Sequence, residues 1–283
     1  MVYRPYNLKD VNDASAQEKF TVISTFAGGG GSSTGYRLAG GKILAVNEFV
    51  EEARTTYGQN YPATPILPDD IKKLSGQEFL DITGLEAGEL DVLDGSPPCS
   101  AFSVAGNMSH GKGNTHKDAF GKTKGYSDIK EVTNVEDLFF EFLRVAEVIK
   151  PKVIIAENVA GLTMGEAKTY FNKIQNTFED IGYDVSAKVL NSGYFGVPQT
   201  RNRVFFIGVR SDITEKVGLT FLNISSIFPV ESKDVIPLGQ ALEGLVYDEE
   251  EVKSLTEKFS KTAYWRDTGS KMPNNPDKVL TGA

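Results

Sequence analysis

The sequence predicts an α/β protein built on a doubly wound, mostly parallel sheet. Three observations predict it. Short runs rich in β-branched and aromatic residues alternate with helical periodicity from Phe20 to Val209. A glycine turn, Gly28-Gly29-Gly30-Gly31, follows the first of these runs and opens a helix. A proline-stiffened turn, Gly95-Ser96-Pro97-Pro98-Cys99-Ser100, ends another run and carries the only cysteine of the chain.

The elements follow in order. Residues 1–19 are polar and read as a flexible lead-in. Phe20–Phe26 is a strand bounded by glycines. Ser32, Ser33 or Thr34 is positioned to cap the helix that follows, which runs to about Leu38. Lys42–Val46 is the next strand, with Glu48 at its end, and a helix continues to about Tyr57. Asp69-Asp70-Ile71 closes a short segment, and Leu90–Asp94 reads as a buried strand. Residues 104–130 are rich in glycine and lysine and lack a period, which marks a long basic loop. Val135–Val148 is helical in pattern until Pro151, and Val153–Ala156 is a buried strand. A helix over about Glu166–Ile181, a strand near Val185–Val189 and a strand at Val204–Val209 complete the core. The pattern decays after about Pro237. The predicted organisation is therefore a lead-in (1–19), a ligand-binding catalytic domain (20–237) and the start of an incomplete further region (238–283).

Composition narrows the class. Of 283 residues, 40% are hydrophobic and 24% charged, which is ordinary for a globular domain. No run is long and apolar enough to span a bilayer. A single cysteine excludes an internal disulfide and a four-cysteine zinc site, and suits a reducing cytoplasm. The net charge of −8 argues against a general nucleic-acid binder, although a local basic lobe is enough to hold phosphates. His110 and His116 lie in the basic loop without a carboxylate or thiol at ligand spacing, so no metal site is expected.

Five features carry chemistry. The glycine turn lets a nucleoside-like ligand approach the backbone. It is not a phosphate loop, because Tyr36 and Arg37 stand where Lys and Ser or Thr would be needed. It also lacks G-x-G-x-x-G, since Ser33 and Thr34 fill the third glycine positions. Glu48 at a strand end suits ribose hydroxyls, and Asp70 suits either the ligand or a helix cap. Cys99 sits rigidly at the carboxyl edge of the sheet, where a lone thiol is either an inert small hydrophobe or a nucleophile, and its loop-like proline and glycine surroundings favour the nucleophile. Glu157, closing the strand Val153–Ala156, reaches the same edge and is either a proton donor or a helix cap. Arg201 and Arg203 alternate onto one face of an extended segment, which suits a phosphate or a base carbonyl, or else a solvated, charged strand start.

These residues, in this order, resemble the cytosine-C5 DNA methyltransferase family over roughly Phe20–Leu245. The matching features are Phe26 with the glycine turn, Glu48, Asp70-Ile71, the Pro-Cys turn, Leu138, Glu157-Asn158-Val159, and Asn191 through Gln199 running into Arg201 and Arg203. The resemblance implies a Rossmann-like fold with S-adenosylmethionine as cofactor and S-adenosylhomocysteine as product. It implies a DNA cytosine flipped out of the duplex as substrate, in a bacterial or phage modification system. It assigns Phe26, Ala27, Gly28, Gly30, Gly31, Glu48, Phe49, Asp70, Ile71, Pro97 and Leu138 to the cofactor. Cys99 becomes the nucleophile, Glu157 the group at N3, and Arg201 and Arg203 the groups at the O2 side. The family's recognition region and last motif are not visible before Ala283, so the sequence is expected to be either a fragment or one half of a split enzyme, and in the second case a separate chain supplies the missing half. A transfer-RNA cytosine methyltransferase and a cofactor-binding module without activity are the alternatives.

Overall fold

The computed structural model describes residues 3–98, 138–165, 167–220, 222–232, 234–242 and 280–281. Its centre is a seven-stranded sheet in the order β3-β2-β1-β4-β5-β8-β6. The strands are β1 (Phe20–Thr25), β2 (Gly41–Asn47), β3 (Ile66–Leu67), β4 (Val92–Gly95), β5 (Val153–Val159), β6 (Tyr183–Asn191) and β8 (Asn202–Arg210). A two-residue β7 (Gln199–Thr200) pairs with β9 (Leu280–Thr281) apart from this sheet. The helices are α1 (Leu8–Ser15), α2 (Gly31–Leu38), α3 (Glu51–Asn60), α4 (Gly76–Thr83), α5 (Leu138–Ile149), α6 (Ala167–Asp180), α7 (Ser211–Val217) and α8 (Leu238–Leu242).

From β3 through β5 every pairing is parallel. Strand β8 alone is reversed, and it pairs antiparallel with both β5 and β6. The reason lies in the connection Ser192–Arg201, which holds one 3-10 turn and β7 but no crossover helix. A parallel neighbour needs a crossover of a dozen or more residues.

The helices build two cores. Phe139, Phe142, Leu143 and Ala146 of α5 are at most 2% exposed, and they pack with Ile154, Ala156 and Phe206 of the sheet and Phe178 of α6. Phe139 meets the Phe206 ring edge-on at 5.4 Å between centroids. Burying side chains of this size contributes roughly 1.5–3 kcal/mol each. On the side of α2 and α3, Val22, Ile43, Val46, Tyr57 and Tyr61 form a second cluster. At Gly95 of β4, α5 packs closely against the strand. A Cβ there would lie 2.6 Å from the Phe142 ring and 2.7 Å from Thr25 Oγ1.

Three expectations are corrected. The lead-in contains α1, capped by Asn7, whose side chain accepts from the backbone of Lys9 and Asp10. Val11 of α1 is buried in the second cluster, so apolar contact orders this segment onto the domain. Helix α2 starts at Gly30, in a left-handed conformation and without a side-chain cap, and not at Ser32, Ser33 or Thr34. Strand β5 runs on to Val159, so Glu157 lies inside a strand and caps no helix. The loop 104–130, its histidines and lysines, and most of 238–283 lie outside the described residues.

Candidate active site

The strand order reverses its direction of winding between β1 and β4, and the carboxyl ends of these strands open a crevice there. A cleft of about 390 Å³ fills this position. The segment after β1 supplies Phe26 and Gly28, and the end of β2 supplies Asn47, Glu48, Phe49 and Val50. The segment after β3 supplies Asp70 and Ile71, the turn after β4 supplies Ser96 and Pro98, and α5 closes the cleft with Leu138.

The backbone of the glycine turn is bent to make this room. Gly28 and Gly30 have φ of 56° and 98°, and a Cβ on Gly30 would lie 2.9 Å from the Tyr61 ring. Phe26 also takes a positive φ, 52°, which costs a residue with a Cβ of order 1–3 kcal/mol. Its carbonyl accepts from Ser96 Oγ at 3.2 Å, which joins the turn after β1 to the turn after β4.

Glu48 is 7% exposed. One carboxylate oxygen accepts from Gly28 N at 2.7 Å and the other from Val50 N at 2.8 Å. The carboxylate therefore ties the glycine turn to the start of α3, and each oxygen keeps a second acceptor position. Phe49 leaves an aromatic surface 43% exposed at the cleft. Asn47 donates to the carbonyls of Leu67 and Asp69, which holds the Asp70 segment against β2. Asp70 itself caps the following 3-10 turn by accepting from Lys72 N, the alternative that the sequence leaves open.

Beside the cleft, one strand further along the sheet, is a charged pair. Glu157 pairs with Phe205 in the β5–β8 register, and Arg203 lies two residues earlier on the same face of β8. Arg203 Nε meets Glu157 Oε1 at 2.7 Å. Burial pushes the Glu157 carboxyl above the usual carboxylate range, against the opposing pull of Arg203 and Arg201. Burial lowers the Arg203 guanidinium, and repulsion from Arg201 adds to this. Next to Glu157, Asn158 donates from Nδ2 to the Pro97 carbonyl at 3.1 Å, fastening the proline turn to β5. Cys99 follows that turn and lies outside the described residues.

The structure thus gathers Phe26, Gly28, Glu48, Phe49, Asp70, Ile71 and Leu138 around one cleft. Ala27, Gly30, Gly31 and Pro97 do not line it. Ala27 is buried beneath the turn, Gly30 and Gly31 open α2, and Pro97 gives its carbonyl to Asn158. Asn47, Val50, Ala53, Lys72, Ser96 and Pro98 are lining residues that sequence reasoning missed. For Val50 and Ala53 a signal existed, since they stand three residues apart, one helical turn, just after Glu48. For Asn47 none did. Among the described residues, no cluster of His, Cys, Asp and Glu could hold a metal ion, and no helix is long and apolar enough to cross a membrane.

A doubly wound sheet with a ligand cleft at its switch point, flanked by a half-buried carboxyl and two arginines, defines a ligand-binding α/β domain. Comparison with known proteins narrows this class. The model of the C-5 cytosine-specific DNA methylase family matches residues 20–279, and the chain belongs to that family. The chain is 31% identical over 221 residues to the type II methyltransferase M.NgoPII of Neisseria gonorrhoeae, covering 78% of this chain and 55% of the relative. It is 31% identical over 261 residues to the type II methyltransferase M.Eco47II of Escherichia coli, covering 88% of this chain and 54% of the relative. The chain therefore spans about half the length of the curated relatives it matches. Among solved structures, Schizosaccharomyces pombe Dnmt2 methyltransferase shares the fold with a TM-score of 0.55 at 18% identity, covering 86% of this chain and 67% of that one. The family uses S-adenosylmethionine as its methyl donor.

Proposed function

We propose that this chain carries the catalytic machinery for methylating cytosine at C5 in DNA, by way of a covalent bond between Cys99 and C6 of the base. The reading places it in a bacterial or phage modification system, and its type II relatives support that setting. The observation that carries the reading is a juxtaposition at one sheet edge. A nucleoside-sized cleft at the end of β1 and β2 lies beside the Glu157–Arg203 pair, and Asn158 fastens between them the proline turn that leads to Cys99.

The cleft suits the family's cofactor. The aromatic surface of Phe49 offers an adenine a stacking face, and Glu48 has acceptor positions left for ribose hydroxyls. Phe26 and Gly28 would lie along the methionine part, Asp70 and Ile71 at the adenine edge, and Leu138 as an apolar wall. When bound, the cofactor supplies an electrophilic methyl group on sulfur.

The chain's own residues do the rest. Cytosine C5 is a poor nucleophile. Addition of the Cys99 thiolate to C6 makes C5 enamine-like while Glu157 gives a proton to N3. Arg203, with Arg201 near it, holds Glu157 in place and offers donors to the O2 side of the base. After methylation of C5, water takes the C5 proton, the electrons of that C–H bond re-form the C5–C6 double bond and expel the Cys99 thiolate, and N3 returns its proton to the Glu157 carboxylate. A base inside the duplex cannot reach such a site, so the target nucleotide must be extruded.

The test is transfer of labelled methyl from S-adenosylmethionine to duplex DNA by the full-length protein, with the modified position mapped by bisulfite sequencing. C5-methylcytosine at a defined site is expected. Label entering transfer RNA and not DNA would replace the substrate assignment. For the cofactor site, Glu48→Ala should weaken S-adenosylhomocysteine binding by roughly 1.5–3 kcal/mol, or about 10- to 100-fold in Kd. Calorimetry checks this, and equal affinities would remove Glu48 from the site.

A further inference from the structure

The wall of the cleft that carries Asp70 and Ile71 has little regular structure of its own. It is the stretch Pro68–Leu74, with a single 3-10 turn at Ile71–Lys73. So short a turn does not fix its own orientation, because it closes too few hydrogen bonds to offset the dihedrals it orders. Other elements fix it. From β2, Asn47 Nδ2 donates to the carbonyls of Leu67 and Asp69 at 2.9 and 2.8 Å. From α5, Arg144 Nη2 donates to the carbonyls of Ile71 and Leu74 at 3.0 and 2.7 Å, one hydrogen to each. The wall is thus pinned ahead of the turn by one side chain and across the turn by the other. Glu141, one helical turn earlier on α5, accepts from Arg144 Nε at 2.7 Å and aims the guanidinium. With Nε held, the planar group presents its outer nitrogens in a fixed fork. Arg144 does not line the cleft, so it acts on a ligand only through this wall.

The orientation of the turn matters because Asp70 caps it. Asp70 Oδ1 accepts from Lys72 N at 3.0 Å, so the direction of the carboxylate follows the turn. The carboxylate keeps acceptor positions beyond this bond, and Asp70 lines the cleft. An acceptor at that wall suits an exocyclic amino group on a base and repels a carbonyl in the same place.

We propose that Arg144 is a positioning residue for the base of the cofactor: its hold on the Ile71 and Leu74 carbonyls sets the Asp70 carboxylate where it selects an amino group over a carbonyl. The proposal rests on the reading that puts Asp70 and Ile71 at the adenine edge. It gives α5 two tasks. Leu138, at the start of the helix, is itself a wall of the cleft, and Arg144, further along, sets the wall of Asp70.

The test compares two ligands by calorimetry on the full-length protein. One is S-adenosylhomocysteine. The other is S-inosylhomocysteine, in which a carbonyl oxygen replaces the adenine amino group. Arg144→Met keeps much of the apolar stem and removes every donor, and Arg144→Gln is too short to reach both carbonyls. The wild type should prefer S-adenosylhomocysteine by about 10-fold or more. In both variants its Kd should rise by about 10-fold while that of S-inosylhomocysteine moves little, so the preference collapses. In the methylation assay the KM for S-adenosylmethionine should rise with kcat unchanged. A preference kept in either folded variant overturns the proposal, even if both ligands bind more weakly or the melting temperature falls, and leaves Arg144 a support of the fold. A wild type that binds the two ligands alike overturns the placing of adenine at Asp70, and the proposal with it.

Discussion

Cys99→Ala should yield a protein that folds, binds S-adenosylhomocysteine as well as the wild type, and turns over at a rate lower by on the order of 10⁴-fold or more. The size follows from the chemistry. Without addition at C6, the C5 carbon of cytosine remains too weak a nucleophile, and the sequence has no second thiol to make the covalent bond. The fold should survive because the bonds described for the end of β4 are made by other residues. That end is anchored by the bonds from Ser96 to Phe26 and from Asn158 to Pro97. The measurement is covalent trapping on duplex DNA carrying 5-fluorocytosine, followed by denaturing electrophoresis. The wild-type protein should form a stable complex and the variant none. A trapped complex with Cys99→Ala would show that the bond to C6 is made by another residue.

Glu157→Gln should lower turnover by about 10²- to 10⁴-fold, the range for removing a general acid, with little change in cofactor affinity. The wild-type pH dependence has a defined sign. Glu157 must carry a proton to give one to N3, so the rate falls as pH rises through its folded value. Burial moves that fall above the ordinary carboxylate range. In the Gln variant this alkaline limb should be absent. Arg203 is 22% exposed in its side chain, so water can solvate it when its partner loses charge, and the fold should persist. Rate and pH profile, measured together with a thermal melt, separate this outcome from unfolding. An alkaline limb that persists in Glu157→Gln would assign it to a different group.

Much of the site was legible before the structure because its parts are local. A strand followed by a run of glycines has few alternatives, since only glycine takes the left-handed angles of Gly28 and Gly30 without strain. An acid directly after a buried strand, as at Glu48, faces the carboxyl edge in any parallel sheet. The Pro-Pro turn ends β4 by removing backbone donors. What was not legible is equally specific. The reversal of β8 depends on which strand receives it, and the residues 202–210 read the same in either direction. The burial of Val11 depends on a partner surface made by β2 and α3, far along the chain. Asn47 and Asn158 look like any polar residues at strand ends. Their bonds to Leu67, Asp69 and Pro97 exist only once those segments are brought alongside.

By itself, the sequence determined the alternation of strand and helix, the glycine and proline turns, the ordered set of acids and arginines, and through these the family. Each of these is a pattern of neighbours within a few residues, where backbone angles and side-chain period act directly. Only the tertiary structure decided that Glu48, Ile71, Ser96 and Leu138 would share one cleft, and that Arg203 would meet Glu157 across antiparallel strands. Those meetings depend on strand order and register. Strand order and register are set by the packing of whole apolar faces against α2, α3, α5 and α6, and no local segment carries enough buried area to choose them alone.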